Sequence, residues 1–376
     1  MKIGINATAA FKEQRTGVEE YVFQLLKALV SLPEAAKHEF VLYKDRRDRG
    51  TLGFSLPENF RVKEMYSPIA WTQTRLAAEM FLNKPDCLFI PVHILPRFSP
   101  KHSVVAIHGL EYEILPEYYP QGFRRYLRRT AKFSTQRAEK VIAVSKSTGK
   151  DLVDLYGISP DKITVIHHGL ESPLNLSFKK GEGLPYLQKE GLGKLQTRPY
   201  LLFLGRVETK KNILGLLEAF KILKKKYRIP HQLVLAGYPG FGHNLIKKKI
   251  KEERIEGVVK TGFVSEEEKW PLLSGADAFL FPSFYEGFGL PILEAQAMET
   301  PVVAGHGSCM PEIAGQGALF VSPHNPEEIA KETYRILTEP GLKDSLVEAG
   351  LENIKRFSWE KCAKETLETL TGESRI

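Results

Sequence analysis

The sequence predicts an α/β protein made of two doubly wound domains that face each other across a cleft. First, its 376 residues exceed the roughly 250 to 300 over which a single hydrophobic core usually grows. Second, short apolar, β-branched runs alternate with amphipathic helical patterns, which is typical of parallel sheets flanked by helices. Third, residues 171–199 are rich in Gly, Lys and Pro and lack sustained periodicity, so they indicate a connection between domains.

The strand-like runs fall into two sets. The first set is "KIGIN", "EFVLY", "CLFI", "VVAI", "VIAVS" and "ITVIH", with the helical pattern "VEEYVFQLLKALVS" after its first member. The second set is "YLLFLG", "QLVLAG", "VVKTGF", "AFLFP", "PVVAG" and "ALFVS". We therefore predict an N-terminal domain at 1–170, a linker at 171–199 and a C-terminal domain at 200–357, and we expect a helix at about 358–376 to pack back on the N-terminal domain. Ligands of such sheets bind outside the carboxyl ends of the strands, so the strand-to-helix loops are the candidate sites.

Composition indicates a globular protein of a reducing compartment. Apolar residues make up 43% of the chain and can fill two cores, and charged residues make up 26%, as in folded rather than disordered chains. Cys87, Cys309 and Cys362 show no CxxC or Cys/His spacing, so neither a disulfide framework nor a structural zinc site is expected. The opening "MKIGINATAA" is too short an apolar stretch for a signal peptide, and no run approaches the ~18 apolar residues of a membrane helix. We therefore expect a cytoplasmic protein.

The net charge of +8 has its densest source in residues 124–137. On a helix, four of the cations in this segment fall on one face: Arg125, Arg128, Arg129 and Lys132. Two interpretations stay open. The face is either a solvated helix surface or a surface that attracts anionic lipid headgroups and holds the protein on the inner face of the membrane. Nucleic acid is not an expected partner, because no aromatic ladder or recognition motif accompanies the charge.

The loop in "YLLFLGRVETKKNILGLLEAF" carries the first candidate site. Its first apolar run predicts a strand, Asn212 suits an N-cap, and the apolar residues from Ile213 onward repeat at helical spacing. Arg206 and Lys211 then lie in one strand-to-helix loop. Two cations beside a helix N-terminus can bind a diphosphate. The alternative is a pair of ordinary solvated cations.

The second candidate site lies in the loop "PSFYEGFG", between the strand "AFLF" and the helix "LPILEAQAM". Pro291 suits the first helical position, and the amides of Gly289 and Leu290 are expected to point from the helix start towards an anion. Gly287 and Gly289 permit the close backbone approach that this contact needs.

Two glutamates flank this glycine-rich stretch. Glu286 lies in the loop, and Glu294 lies about one turn into the helix. Carboxylates repel phosphate, so hydroxyl groups are their expected partners. A nucleotide sugar carries hydroxyls on both sides of a diphosphate and fits this arrangement. For Glu294 alone, a solvated helical position is the alternative.

In the first half, His108 ends the strand "VVAIH", and Gly17 precedes the first helix. Both positions face the predicted cleft. A structural role stays open for His108, and Gly17 is otherwise a loop glycine that allows positive φ. No GxGxxG follows the first strand, and GxxxxGK[ST] and DxD are absent. The sequence therefore disfavours a dinucleotide dehydrogenase and a P-loop NTPase, and it offers no metal ligand for a diphosphate.

Taken together, these motifs resemble the retaining glycosyltransferases of family 4, which have the GT-B fold of two Rossmann-like domains. The resemblance rests on "GR" with "KKN", "EGFGLPILEAQAMETPVV" and "MPEIAG" in the second half. In the first half it rests on "RTGVEEYVFQLLKAL", "IHGLEYEILPEYYP" and "AEKVIAVSKSTGKDLVDLYGISPDKITVIHHG", and near the end on "RFSWEKCAKETL". It covers nearly the whole chain, with the motifs in the family's order. The chain is most similar to members that resemble bacterial polysaccharide mannosyltransferases.

The resemblance implies roles for individual residues. Arg206 and Lys211 would bind the donor diphosphate, Glu286 the donor sugar and Glu294 the ribose. The other expected donor contacts come from Gly17, Val264, Phe288, Gly289 and Leu290, with His108 near the reacting carbon. Two departures affect the acceptor side: Gly109 replaces a common Asp, and His168 with Gly169 replaces a common Asn-Gly.

The resemblance further implies transfer of a sugar, with retention and without a metal or other cofactor, from a nucleotide sugar to an acceptor hydroxyl. GDP-mannose is the first expected donor, and a lipid-linked or polysaccharide glycan of the cell envelope is the expected acceptor. Glu286 would position the sugar rather than attack it. The alternatives are a nucleotide-sugar epimerase or hydrolase of the same fold, and a non-catalytic sugar- or lipid-binding protein.

Overall fold

The computed structural model describes residues 1–15, 17–171 and 198–372. Within these residues the chain forms two compact units: Met1–Gly169 with the chain from Phe357 onward, and Leu170–Arg356. Most of the predicted linker, residues 172–197, lies outside the described residues.

The N-terminal unit is built on a seven-stranded parallel sheet. Its strands are β1 (Lys2–Asn6), β2 (Glu39–Asp45), β3 (Phe60–Met65), β4 (Cys87–Ile90), β5 (Ser103–Ile107), β6 (Lys140–Ala143) and β7 (Ile163–Val165). Their order is β3-β2-β1-β4-β5-β6-β7. The connecting helices are α1 (Val18–Ser31), α2 (Ala77–Leu82), α3 (Glu111–Ile114), α4 (Gln121–Arg137) and α5 (Lys146–Tyr156).

Strand β5 shows why this sheet has helices on both faces. All five of its residues are buried. Val104 and Ala106 belong to one hydrophobic cluster, whereas Val105 and Ile107 belong to another. Side chains alternate between the faces of a strand, so each cluster lies on one face. A parallel strand buried on both faces therefore has a continuous apolar sequence.

The C-terminal unit has a six-stranded parallel sheet. Its strands are β8 (Tyr200–Leu204), β9 (Gln232–Ala236), β10 (Val258–Gly262), β11 (Ala278–Phe281), β12 (Val302–Gly305) and β13 (Ala318–Val321), in the order β10-β9-β8-β11-β12-β13. The helices are α6 (Ile213–Lys225), α7 (His243–Glu252), α8 (Glu266–Ser274), α9 (Leu290–Ala297), α10 (Met310–Ala314), α11 (Pro326–Thr338) and α12 (Leu342–Ile354). Two parallel sheets with crossover helices confirm the predicted α/β class.

The last helix, α13 (Trp359–Thr371), is part of the N-terminal unit. Its buried Cys362, Ala363 and Leu367 join the hydrophobic cluster that contains residues of β1 and α1. The Trp359 ring stacks on His168, with 6.0 Å between centroids. Every helix in the described part of the chain is too short or too polar to cross a bilayer.

Candidate active site

The strand order of the C-terminal unit reverses between β8 and β11. In an open parallel sheet the loops on the two sides of such a reversal diverge to opposite faces, which opens a crevice at the carboxyl ends of the strands. The loop after β8 carries Arg206 and Lys211, and the loop after β11 carries Glu286. The topology therefore places both predicted loops at one point.

Lys211 and Glu286 form an ion pair across this point. The Lys211 Nζ lies 2.5 Å from both Glu286 carboxylate oxygens, although the residues are 75 positions apart. The two side chains are only 17% and 9% exposed. Removing one partner of such a pair leaves an uncompensated charge in a poorly solvated place. Each group therefore compensates the other.

Two residues that follow β12 hold the Glu286 segment. The Ser308 hydroxyl donates to the Glu286 carbonyl oxygen and accepts the Glu286 amide at 3.3 Å. The Cys309 Sγ lies 3.1 Å from the carbonyl oxygens of Glu286 and Phe288. Burial, reinforced by the charge of Glu286, raises the pKa of the Cys309 thiol well above its usual value. The group therefore stays a protonated thiol, and the loop is fixed by hydrogen bonds to its backbone.

Asn212 connects three strand-to-helix loops. It precedes α6, as predicted, but its φ of 58° is left-handed and its side chain does not cap the helix. Instead, Nδ2 donates to the carbonyl oxygens of Pro282, at 3.1 Å, and Pro323, at 2.6 Å. The predicted capping interaction is thus wrong, because tertiary acceptors at the ends of β11 and β13 take the side chain.

Arg206 follows β8 and is exposed. Its guanidinium makes no hydrogen bond or ion pair within the described residues. The loop after β9 packs close beside it: a Cβ on Gly237 would lie 2.0 Å from the Gly205 carbonyl oxygen, and one on Gly240 would lie 2.7 Å from the Arg206 Cγ. The glycines of "GYPGFGHN" thus allow two backbones to meet and leave the arginine free at the crevice.

The start of α9 contributes backbone donors. Gly289 has a left-handed φ of 89°, and Pro291 lies in the first turn, as predicted for this position. Neither the Gly289 nor the Leu290 amide donates a hydrogen bond within the described part of the chain. Phe288 is buried just before them. Such amides, with the positive end of the helix dipole, favour an anion.

Glu294 is ion-paired rather than simply solvated. Its Oε1 accepts from the Lys269 Nζ at 2.7 Å, and Lys269 also contacts Glu266 at 2.6 Å. Burial opposes the charge on Lys269, but the two glutamates outweigh it and raise its pKa. Val264 precedes α8, is half-buried and packs on the core of this unit. Nothing in the sequence indicates the contact between Glu294 and Lys269.

In the N-terminal unit the strand order reverses between β1 and β4. Gly17 precedes α1 with a φ of 43°, and a Cβ there would contact nothing within 4 Å. His108 follows β5, and its Nε2 lies 2.7 Å from the Pro91 carbonyl oxygen. A carbonyl only accepts, so Nε2 carries the proton and Nδ1 is an acceptor. That Nδ1 has no hydrogen-bond partner among the described residues.

His108 belongs to a cluster of buried rings. Its centroid lies 4.6 Å from that of Tyr21 and 5.5 Å from those of His93 and His168. Burial lowers the pKa of His108 to about 3 and of His93 to about 4, and it also lowers that of His168. The three imidazoles are therefore neutral at ordinary pH. Residues 1–15, 17–171 and 198–372 contain no group of three or more His, Cys, Asp or Glu side chains that could hold a metal ion.

Comparison with known families decides the assignment. Residues 15–172 match the family model "Glycosyltransferase Family 4", and residues 187–353 match "Glycosyl transferases group 1". The "O-antigen chain mannosyltransferase B" of Escherichia coli is 31% identical over 277 residues, which cover 72% of each chain. The chain belongs to glycosyltransferase family 4.

Solved structures agree on the fold of this glycosyltransferase. The sucrose-phosphate synthase of Thermosynechococcus elongatus has a TM-score of 0.73 at 20% identity, with both chains fully covered. Anabaena Alr3699/HepE in complex with UDP-glucose has a TM-score of 0.72 at 18% identity, covering 99% of this chain and all of the other. These likenesses confirm the expected GT-B fold.

The role of Ser308 gives a prediction for this glycosyltransferase. Ser308→Ala should lower transfer activity by about fivefold, because a net hydrogen-bond contribution of about 1 kcal/mol to holding the Glu286 segment is lost. Ser308→Gly should lower it equally, although glycine relieves the positive φ of 58°. The measurement is kcat/KM with the thermal midpoint.

Ser283→Ala is the matched control, since this buried hydroxyl, which lies in the Glu286 loop after β11, has no hydrogen-bond partner in the described chain. Activity in Ser308→Gly that equals the unmodified protein would show that backbone shape, not the hydroxyl, matters.

The histidine cluster gives a pH prediction. Between pH ~6.5 and the lowered native pKa, the unfolded chain binds a proton that the native His108 does not. The free energy of unfolding should therefore fall as the pH falls below ~6.5, by up to about 1.4 kcal/mol per pH unit for each such histidine. Denaturant titrations at several pH values measure the slope.

His108→Gln should make this slope shallower. His306→Gln, which replaces an exposed histidine, is the control and should leave it unchanged. Identical slopes in all three proteins would contradict the assignment.

Proposed function

We propose that this glycosyltransferase transfers mannose, with retention, from a nucleotide sugar to a hydroxyl of a lipid-linked or polysaccharide glycan of the cell envelope. GDP-mannose is the first donor to test. The observation that carries the proposal is the Lys211–Glu286 ion pair at the strand reversal, beside the free amides at the start of α9. The O-antigen mannosyltransferase relative supports the choice of mannose and of the acceptor class.

The leaving diphosphate gains negative charge as the bond to the sugar breaks. The free guanidinium of Arg206, the Lys211 ammonium and the amides of Gly289 and Leu290 are suited to stabilise that charge. Fixed donors of this kind can do so without a metal, so we propose a metal-independent reaction. The resemblance to family members adds that a donor phosphate oxygen takes the proton of the attacking acceptor hydroxyl.

Donor binding exchanges partners within the ion pair. The diphosphate would take over the Lys211 ammonium, and the Glu286 carboxylate would then accept hydrogen bonds from sugar hydroxyls. Its backbone anchors, Ser308 and Cys309, keep it in place during the exchange. Because these anchors hold the backbone of Glu286 and leave its carboxylate available, the proposed role of the carboxylate is to position the sugar. Glu294, held by Lys269, is proposed to bind the ribose, with Val264 beside the nucleobase.

His108 is proposed to act near the reacting carbon as a neutral group. With Nε2 donating to Pro91, Nδ1 is the acceptor of the ring, and it is buried in this structure. Its lowered pKa excludes a standing positive charge beside developing oxocarbenium character. Gly17 completes the proposed contacts, since the open space around it leaves room for a diphosphate.

The test of the activity is a panel of nucleotide sugars. The true donor should raise the thermal midpoint, since ligand at about 100 times its Kd adds about 2.7 kcal/mol of stability. Turnover should need an acceptor glycan and should survive EDTA. Turnover without acceptor would indicate the epimerase or hydrolase alternative, absence of turnover the binding-protein alternative, and loss with EDTA a metal-dependent reaction.

Charge-neutral variants sharpen the test. Lys211→Met alone leaves Glu286 unpaired and should destabilise the fold, by up to about 3 to 5 kcal/mol. Lys211→Met with Glu286→Gln removes both charges and should largely restore stability, while transfer stays at least about 100-fold low. Chemical denaturation and kcat/KM separate the two effects. Near-normal transfer by the double variant would contradict the proposed site.

We also propose that α4 docks on anionic membranes. Two arginines of this helix already have partners within the protein, because Arg128 pairs bidentately with Glu113 and Arg124 donates to the Tyr112 carbonyl. The rest of the surface is open. It combines exposed cations and exposed aromatic side chains, namely Arg125, Arg129, Lys132, Phe123, Tyr126 and Phe133. This combination is typical of helices that lie in the membrane interface.

Sedimentation with vesicles that contain phosphatidylglycerol tests the docking. Replacing Arg125, Arg129 and Lys132 by Gln should weaken binding by about 100-fold, since each cation contributes ~1 kcal/mol, and salt should weaken it in the unmodified protein. Replacing the exposed Lys247, Lys248 and Lys251 of α7 removes the same charge elsewhere and is the control. Equal loss in both variants, or no sedimentation at all, would contradict the proposal.

A further inference from the structure

A small cavity at the carboxyl ends of β2 and β3 gathers three arginines. It has a volume of about 390 Å³ and is lined by Arg46, Arg47, Arg49 and Tyr66. The arginines lie in the turn after β2, and Tyr66 directly follows β3. All four side chains are exposed, and three neighbouring like charges make the pocket attractive to an anion.

The neighbouring carboxylates compensate only part of this charge. Asp45 accepts both Nε and Nη2 of Arg47, and the remaining Nη1 donates to the Pro68 carbonyl. Asp48 is taken by Lys12, at 2.5 Å. These hydrogen bonds hold the Arg47 side chain in place at one side of the cavity.

Arg46 and Arg49 have no hydrogen-bond or ion-pair partner for their guanidinium groups among the described residues. Two free, planar donor groups beside a phenol hydroxyl match the oxygens of a phosphate or diphosphate, which arginine binds through paired hydrogen bonds. The cavity therefore has the chemistry of an anion site.

A second cavity, of about 510 Å³, shares Arg49 with the first. Its lining includes Phe23, Leu52 and Phe54, and the two phenyl rings lie 5.7 Å apart. Charged side chains line it as well, namely Lys12, Glu13, Arg15 and Lys27, and the Arg15 guanidinium lies 3.7 Å from the centre of the Phe23 ring. A ligand with a phosphate head and a hydrocarbon chain would use both.

The position of the cavity fits the acceptor. In the N-terminal sheet β2 is separated from β5 by β1 and β4, so the strand that precedes His108 lies three strand spacings away, about 14 Å. The carboxyl ends of both strands lie on the same side of the sheet. A short oligosaccharide can span that distance.

We propose that this cavity binds the diphosphate of a lipid-linked acceptor, with Arg46 and Arg49 as the phosphate ligands and the two phenyl rings of the second cavity as the contact for the first part of the lipid. The inference rests on the proposed function, because it specifies how the acceptor is recognised. It makes this edge of the N-terminal unit a specificity site for acceptors that carry a phosphate.

Two acceptors with the same glycan test it, one on a lipid diphosphate and one on a phosphate-free alkyl glycoside. Arg46→Gln with Arg49→Gln should raise the KM for the first about 10- to 100-fold, because charge-assisted hydrogen bonds are lost. The KM for the second, and kcat for both, should stay unchanged. The control is Arg61→Gln with Lys101→Gln, which removes two exposed charges near the amino ends of the strands, away from the cavity. An equal rise for both acceptors, or no rise for either, would overturn the inference.

Calorimetric titration separates this inference from the proposed function. Geranyl diphosphate and inorganic pyrophosphate are titrated into the unmodified protein and the arginine variant, whose donor sites are identical. Binding lost in the variant supports the cavity even if no sugar transfer is found, whereas transfer with equal binding in both proteins overturns the cavity alone. Geranyl diphosphate should bind more tightly than pyrophosphate. Equal affinities would overturn the lipid assignment in favour of a free phosphate ligand.

Discussion

The ion pair between Lys211 and Glu286 is the constraint around which the C-terminal unit is arranged. It joins the loops after β8 and β11, and two charges of low exposure are tolerated there only because each has the other. The surrounding bonds keep that geometry: Asn212 ties both loops to the end of β13, and Ser308 holds the Glu286 backbone. A ligand that separates the pair must therefore supply a new partner for each charge.

This requirement restricts the chemical class of the ligand more than the shape of the crevice does. An anion without hydroxyls would leave Glu286 unpaired, and a neutral sugar would leave Lys211 without its carboxylate, so each binds at a cost. A nucleotide sugar offers phosphate oxygens to the lysine and hydroxyls to the glutamate. A similar ion pair lies on α9, where Lys269 neutralises Glu294. At this site Lys211 and Lys269 are each paired with a glutamate, whereas the exposed Arg206 has no hydrogen-bond or ion-pair partner among the described residues.

The sequence predicts the described strands except β3, the loops and the residues at their carboxyl ends, because parallel strands buried on both faces are continuous apolar runs and the loop motifs are local. It misses β3 because FRVKEM is mostly exposed and polar and so forms no apolar run. It does not predict which loops meet. The Lys211–Glu286 contact depends on the strand order, and the Asn212 side chain leaves its capping position for acceptors 70 and 111 residues away. Ser308 and Lys269 were missed for the same reason. Nothing near them in the chain indicates their partners.

At its own strand reversal, the N-terminal unit differs electrostatically from the C-terminal unit. Here the buried groups are rings without charge: Tyr21, His93, His108 and His168 pack together, and burial keeps the imidazoles neutral. Two groups of cations in this unit lie away from the rings: Arg46 and Arg49 after β2, and the basic residues of α4. The ring cluster carries no charge that would attract a diphosphate, so the two phosphate-bearing substrates of the proposed reaction would be recognised by separate sets of cations. The specificity for donor and acceptor can then change independently, one set of arginines and lysines at a time.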